Sequence, residues 1–233
     1  MNMGQGIFIS ICVPAFNEEK SILGAVEDLR SSLADYFDSL EIIIVDDGSK
    51  DDTFKLAQEL AAKYPNIKTI RHAHNQGIGS CYRDALSVAR GSYFTWFPAD
   101  GEDVPEEIAQ CLPYLEEGVI VIFNHLESDK RTKFRKAVSR FYTFVLNRHF
   151  DLHLKYFNGL SIISTAGARK MPLVASGFFC NAEIVIRAIK FGYQVVELFA
   201  PLKRRLSGKS KALSLNSLFR AAQDLIRLLR QAL

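Results

Sequence analysis

Cysteine is scarce in this 233-residue chain and carries no pattern: Cys12, Cys81, Cys111 and Cys180 show no CxxC or CxxH spacing. That excludes a zinc ribbon and a disulfide-held mini-domain, and each cysteine falls where a small apolar residue suits a strand, helix or turn. A reducing, cytoplasmic compartment is the expectation. Long apolar runs are also missing: residues 119–123 form a typical one, whereas a bilayer crossing needs about 20 apolar residues. No membrane-spanning helix is expected, and the opening MNMGQGIFISICVPAF has neither the basic region nor the cleavage site of a secretory signal. No linker-like stretch divides the chain, and 48% hydrophobic content suffices for one sizeable core. The expected organisation is one domain over residues 1–213 and an amphipathic C-terminal helix over 214–233, packed on that domain, on a membrane surface or on a partner.

Net charge is only +3, but it is unevenly spread. Residues 1–129 hold 9 Lys+Arg against 22 Asp+Glu, and residues 130–233 hold 20 against 4. Acid is absent altogether from KRTKFRKAVSRFYTFVLNRHF, residues 130–150, where Phe134, Ala137, Val138, Phe141 and Val145 recur at helical spacing among seven Lys+Arg. Such a segment can lie in the interface of an anionic bilayer or pack its stripe on a core. Nucleic acid is not expected as a partner, because the basic half carries no recognition-helix or RNA-platform motif.

The first half repeats one unit: an apolar β-type run, a turn, an amphipathic helix. Strands are predicted at 7–13, 41–45, 67–71 and 92–96, and helices at about 18–35, 52–63, 78–89 and 105–115. Ser49 and Asp51 mark the start of the second helix, and Pro105 with Glu106 and Glu107 that of the fourth. Later, GLSIIS and YQVVELFAPL read as strands around the helix NAEIVIRAIKFG, which Gly192 closes. The alternation means an α/β fold with a mostly parallel sheet, whose ligands collect beyond the carboxyl ends of the strands.

Four loops lie there. VPAFNEE and VDDGSKDDT follow the first two strands; the paired carboxylates of the latter suit a nucleobase or ribose, and equally an ordinary capped β-to-helix turn. HNQGIGSCYRDAL follows the third, with glycines that permit close backbone approach. SYFTWFPADGEDVPEEI runs the fourth strand into Asp100, Glu102 and Asp103. Hard oxygen ligands there suit Mg²⁺ or Mn²⁺ on a diphosphate; a solvated helix start accounts for Glu106 and Glu107 but poorly for Asp100.

In this order PAFNEE, VDDGSKDDT, NQGIGS and the acidic strand end resemble the family 2 glycosyltransferases of the GT-A fold. SGFFCNAEIVIRAIKFGYQVVELFAPLKRRLSGKSK further resembles the branch that includes dolichyl-phosphate mannose synthase, and the likeness covers about residues 7–215. It implies an inverting, metal-dependent transfer of a hexose from a UDP- or GDP-sugar to a polyprenyl phosphate, by an enzyme peripheral on the cytosolic face of a membrane. It implies that Pro14, Ala15, Asn17, Glu18, Asp46, Asp47 and Gly77 cradle the donor nucleotide. Asp100 corresponds to the second carboxylate of the family's Asp-x-Asp and would hold the metal, while Pro98 replaces the first; Glu102 or Asp103 would compensate. Asp84 stands where the family often has glycine. Arg204, Arg205, Lys209, Ser210 and Lys211 would bind the acceptor phosphate, which is already ionised and needs no strong base. A hydroxyl acceptor would need one, and Glu183 or Asp103 is the candidate. The five histidines fall in no recognisable catalytic motif. A nucleotide-sugar-binding module without catalysis is the further alternative that Pro98 raises, and a homo-oligomer or a membrane-protein partner is conceivable.

Overall fold

The computed structural model describes residues 6–100, 104–124, 133–177 and 179–199, with Gln223 and Ile226 beyond them. Among the described residues seven strands form one sheet: β1 (Phe8–Ala15), β2 (Ser39–Asp46), β3 (Ile67–Arg71), β4 (Tyr93–Trp96), β5 (Val119–Asn124), β6 (Ser161–Ser164) and β7 (Gln194–Phe199), in spatial order β3-β2-β1-β4-β6-β5-β7. All pairings are parallel except those of β6, which runs antiparallel to both β4 and β5. Central strands covered on both faces need near-continuous apolar runs; Ile9, Ile11, Cys12 and Val13 in β1 and Ile42 to Val45 in β2 are accordingly buried.

The helices bounded within the described residues are α1 (Ile22–Leu33), α2 (Thr53–Lys63), α3 (Ile78–Val88), α4 (Pro105–Ala109), α5 (Lys133–Phe150), α6 (Thr165–Lys170) and α7 (Cys180–Lys190). From β1 the chain steps outward twice, to β2 and β3, and then returns through α3 to β4 on the other side of β1. With right-handed crossovers this puts α3 on the face opposite α1 and α2 and makes the β1/β4 border the topological switch point, where open α/β sheets bind ligands. Helix α1 packs on α2 and α4, and α3 on α6 and α7.

Several predicted bounds shift. The first helix starts at Ile22 rather than near residue 18, and a turn in which Glu18 O accepts from both Ser21 N and Ile22 N precedes it. The helix expected over 105–115 stops at Ala109, and a 3₁₀ turn, Leu112–Tyr114, follows. Pro113 lacks an N–H to continue the ladder and disfavours helical geometry at the residue before it. Helix α6 and the reversed direction of β6 were not foreseen. Gly192 does close α7, at φ 83°.

One buried carboxylate ties β1, β2 and the start of β4 together. Glu41 accepts from Ser10 Oγ (2.6 Å), Arg90 N (2.8 Å), Arg90 Nε (2.8 Å) and Lys68 Nζ (3.0 Å). Burial by itself would raise its pKa, but these donors outweigh the desolvation and hold it at about 2.

Candidate donor-binding cleft

The loops after β1, β2 and β3 converge on a cleft of about 660 Å³ lined by Phe16, Gly48, Ser49, Lys50, Arg71, His72, Ala73, His74 and Asn75. Its walls are cross-stitched by side chains. Asn17, in the left-handed region at φ 55°, donates its N–H to Ser49 Oγ (2.9 Å) and accepts from Lys50 N through its side chain (2.9 Å). Glu18 N donates to Thr53 Oγ1 (2.8 Å), and Glu18 Oε2 accepts from Ser21 Oγ (2.7 Å). Ser49, expected to start α2, therefore holds the neighbouring loop, and Asp51 meets Thr53 N instead (3.1 Å). Gly48 adopts φ 74°, and a Cβ there would sit 2.6 Å from the His74 backbone, so only glycine lets the second and third loops touch.

Asp46 and Asp47 diverge in role. Asp46 is fully buried; its Oδ1 accepts from Ser49 N (3.1 Å) and its Oδ2 lies 3.3 Å from Arg71 Nε. The Arg71 guanidinium also stacks 4.6 Å over the Phe54 ring, so one cation borders the cleft between an acid and an aromatic face. Asp47 is a hub: Oδ1 meets His72 Nδ1 (2.7 Å) and Gln76 N (2.8 Å), and Oδ2 meets Asn75 Nδ2 (2.8 Å) and Gly77 N (2.9 Å). Those four contacts occupy its acceptor capacity, so Asp47 shapes the 72–77 loop from within. Gly77, at φ 94°, starts α3 so close to Ser176 O that a Cβ would overlap that oxygen. Pro14 and Ala15 lie opposite Val45 and Asp46 in the sheet and deliver the first loop to the cleft. The structure thus gathers Pro14, Ala15, Asn17, Glu18, Asp46, Asp47 and Gly77 around the cleft as its support, while none of the seven is among the residues that line it.

Asp100 follows the buried Ala99 beyond the end of β4 and is half-buried. Its hard carboxylate fits Mg²⁺ or Mn²⁺, and Pro98 offers no side-chain ligand atom. Glu102 and Asp103 lie outside the described residues, as do Arg204, Arg205, Lys209, Ser210 and Lys211 and, apart from Gln223 and Ile226, the 214–233 helix. Asp47, His72 and Cys81 also offer ligand atoms within 4.8 Å of one another. Hydrogen bonds already use the Asp47 oxygens and the His72 ring, and burial pushes the Cys81 thiol well up, so this trio is poorly suited to a cation.

Glu183 is corrected as a candidate base. It is fully buried, its Oε1 meets Arg187 Nε (2.8 Å), and Oε2 accepts from Val174 N (3.0 Å) and Ala175 N (2.8 Å). A carboxylate so enclosed cannot reach an acceptor hydroxyl. It holds the 174–176 loop instead, and that loop buttresses α3 through Gly79 N to Ser176 O (2.8 Å) and Arg83 to Ala175 O (2.7 Å).

Sequence reasoning missed Arg71, His72, His74 and Asn75 as cleft residues and Asp84 as a partner of His72, 2.9 Å away. The polar run RHAHN at a strand end was the available signal. On the basic half, α5 buries Thr143 and Leu146 but turns outward Phe141, 69% exposed, and Phe144, 64% exposed, beside the exposed Arg140 and Arg148. No helix among the described residues is long and apolar enough to cross a membrane.

The family model for glycosyl transferase family 2 matches residues 10–175. An uncharacterised protein of Methanocaldococcus jannaschii is 27% identical over 204 residues, covering 82% of this chain and 86% of its own. A dolichyl-phosphate beta-glucosyltransferase of Trichomonas vaginalis is 27% identical over 244 residues (95% and 73%), and a dolichol-phosphate mannosyltransferase of Pyrococcus furiosus 33% over 112 residues (47% and 30%). Among solved structures, glucosyl-3-phosphoglycerate synthase from Mycobacterium tuberculosis, in complex with Mn²⁺, UDP and glucosyl-3-phosphoglycerate, superposes with a TM-score of 0.72 at 20% identity, covering 97% of this chain and 80% of that one. The fold is that of the GT-A glycosyltransferases.

Proposed function

The chain belongs to glycosyl transferase family 2, and we propose that it transfers a hexose, with inversion, from a nucleoside-diphosphate sugar to a polyprenyl phosphate at a membrane surface. The observation that carries the donor half is the cleft at the strand ends, built by three loops that Asp47 and its neighbours fasten and lined by Phe16, Lys50, Arg71 and Asn75. The acceptor half rests on the relatives named for dolichyl-phosphate transfer and on the exposed Phe141 and Phe144 between arginines.

In this reading the nucleoside enters the cleft, with Phe16 offering an aromatic face and Arg71, Lys50 and Asn75 offering donors. Asn17, Glu18, Asp46 and Asp47 keep the walls in register before the ligand arrives, which lowers the ordering cost of binding. Asp100, helped by Glu102, would hold Mg²⁺ or Mn²⁺; when bound, such an ion offsets the negative charge that develops on the leaving diphosphate. An acceptor phosphate oxygen attacks the anomeric carbon as the bond to the diphosphate oxygen breaks. That oxygen is ionised at neutral pH, so no general base is required, in keeping with the enclosure of Glu183. Arg204, Arg205, Lys209, Ser210 and Lys211 remain the proposed contacts to the acceptor phosphate, and the face of α5 would rest on the cytosolic leaflet.

A thermal-shift series with UDP, GDP and their hexose conjugates, with and without Mn²⁺, tests the donor half. The matching nucleotide at a hundredfold excess over its Kd should add roughly 2.7 kcal/mol, and Asp100→Asn should remove the metal-dependent part. Transfer of labelled hexose to a polyprenyl phosphate in vesicles tests the acceptor half. Nucleotide binding with transfer only to a hydroxyl acceptor would overturn the lipid reading and turn attention to Asp103. Binding with no transfer at all would leave a nucleotide-sugar-binding module.

A further inference from the structure

His72 ends β3's hydrogen-bonded run, donating its backbone N–H to Asp46 O (2.9 Å), and its ring is almost wholly buried under the cleft. The ring lies between two carboxylates: Nδ1 is 2.7 Å from Asp47 Oδ1 and Nε2 is 2.9 Å from Asp84 Oδ2. A neutral imidazole carries one N–H and one lone pair, whereas an ionised carboxylate only accepts, so both contacts are satisfied together only when a further proton is present. Asp47 cannot turn away to relieve a mismatch, because Asn75, Gln76 and Gly77 also bind it. Asp84 can, because its side chain is half exposed. Ionisable groups around the ring among the described residues include the Cys81 thiol, which burial keeps protonated, the Asp46–Arg71 pair, and Lys50 and His74, which line the same cleft.

We propose that His72 is a positioning residue of the donor cleft, and that Asp84, on α3, makes its hold on Asp47 and the 72–77 loop proton-dependent. The inference rests on the reading of this cleft as the nucleotide site. With the proton present, α3, the imidazole, Asp47 and the loop form one continuous chain of charge-assisted hydrogen bonds. As pH rises and the proton leaves, the neutral ring keeps Nδ1–H on the enclosed Asp47 and presents a lone pair to Asp84. That carboxylate then swings into water, and the ring and the loop lose their outer support. Asn at position 84 would act differently, because its amide N–H can donate to the Nε2 lone pair; the neutral ring is then held from both sides at any pH. Ala at that position offers nothing at any pH.

The test is equilibrium binding of UDP and of GDP, each with Mg²⁺, to the full chain and to its Asp84→Asn and Asp84→Ala forms across about pH 6 to pH 9. The wild type should lose affinity by on the order of tenfold relative to Asp84→Asn as pH rises, the scale of one charge-assisted hydrogen bond. Asp84→Asn should stay tight and Asp84→Ala weak across the range. The nucleotide's own titration is common to all three forms and cancels in the ratios. Nitrogen NMR of labelled His72 gives a readout independent of ligand: both ring nitrogens protonated at low pH in the wild type, and a single Nδ1–H tautomer in Asp84→Asn over the neutral to alkaline range. Superimposed binding profiles for the wild type and Asp84→Asn would overturn the inference and leave the nucleotide site standing. Binding of neither nucleotide at any pH would overturn the site itself and the inference with it.

Discussion

The acidic and basic halves of the molecule are built to different rules. On the acidic side the loops after β1, β2 and β3 are fastened to one another by Asn17, Ser49, Asp47 and Thr53 before any ligand is present. On the basic side α5 leaves Phe141 and Phe144 uncovered between arginines. The contrast matches the two ligands proposed: a small polar nucleotide rewards a preorganised pocket, while a lipid surface rewards accessible apolar area beside positive charge. Glu183, Arg187 and the 174–176 loop join the halves, since they bind α7 and α3 into one support behind the cleft.

Breaking that joint should have the largest effect. Glu183→Ala removes the carboxylate that Arg187 Nε meets and the acceptor of two loop N–H groups, so a loss of about 3–5 kcal/mol in denaturant unfolding is expected. Glu183→Gln keeps the shape and should cost less. Substantial turnover by Glu183→Gln at a temperature where it stays folded would separate support from catalysis, and a folded but dead protein would restore the base.

Acid should next weaken the acidic half from within. Glu41 has a lowered folded pKa, about 2 against the ordinary 4.5, so its contribution is complete above pH 4.5 and is lost as pH falls from there toward 2. The shift corresponds to about 3 kcal/mol at neutral pH. Glu41→Gln should therefore flatten the acid limb of the stability curve, and an unchanged acid limb would show that other carboxylates govern it.

At Gly77 the cost is local and conformational. Alanine there meets both the positive φ and Ser176 O, so we expect about 1–3 kcal/mol of destabilisation together with weaker nucleotide binding, read by calorimetry. Equal nucleotide affinity in Gly77→Ala would detach the start of α3 from the donor cleft.

The smallest effect on stability belongs to the exposed face. Phe141→Ser with Phe144→Ser should change unfolding by within about 0.5 kcal/mol. Binding to anionic vesicles, measured by co-sedimentation, should weaken by about tenfold for each ring. Unchanged vesicle binding would reassign that face.

Legibility followed the same division. Strands and helices of the first half could be read because each rests on a local period and a local turn, and the donor loops because their residues stand together in PAFNEE, VDDGSK and NQGIG. The Asp47–His72–Asp84 chain could not, since its partners are separated by 25 and 12 residues and no short-range pattern links them. The early end of α4 was readable in retrospect from Pro113. The fate of Glu183 was not: in NAEIVIRAIKFG a carboxylate on an apolar helix looks equally like a base or a buried brace, and only its neighbours distinguish the two.

By itself the sequence determined the α/β alternation, the acidic strand end at Asp100 and the division of charge, because periodicity, turn chemistry and composition act over a few residues. Only the tertiary structure decided that Asp47 folds a loop, that Glu183 is sealed from solvent, and that Phe141 and Phe144 face outward. Hydrogen-bond saturation and burial belong to groups brought together from distant parts of the chain, and they exist only once the sheet has assembled.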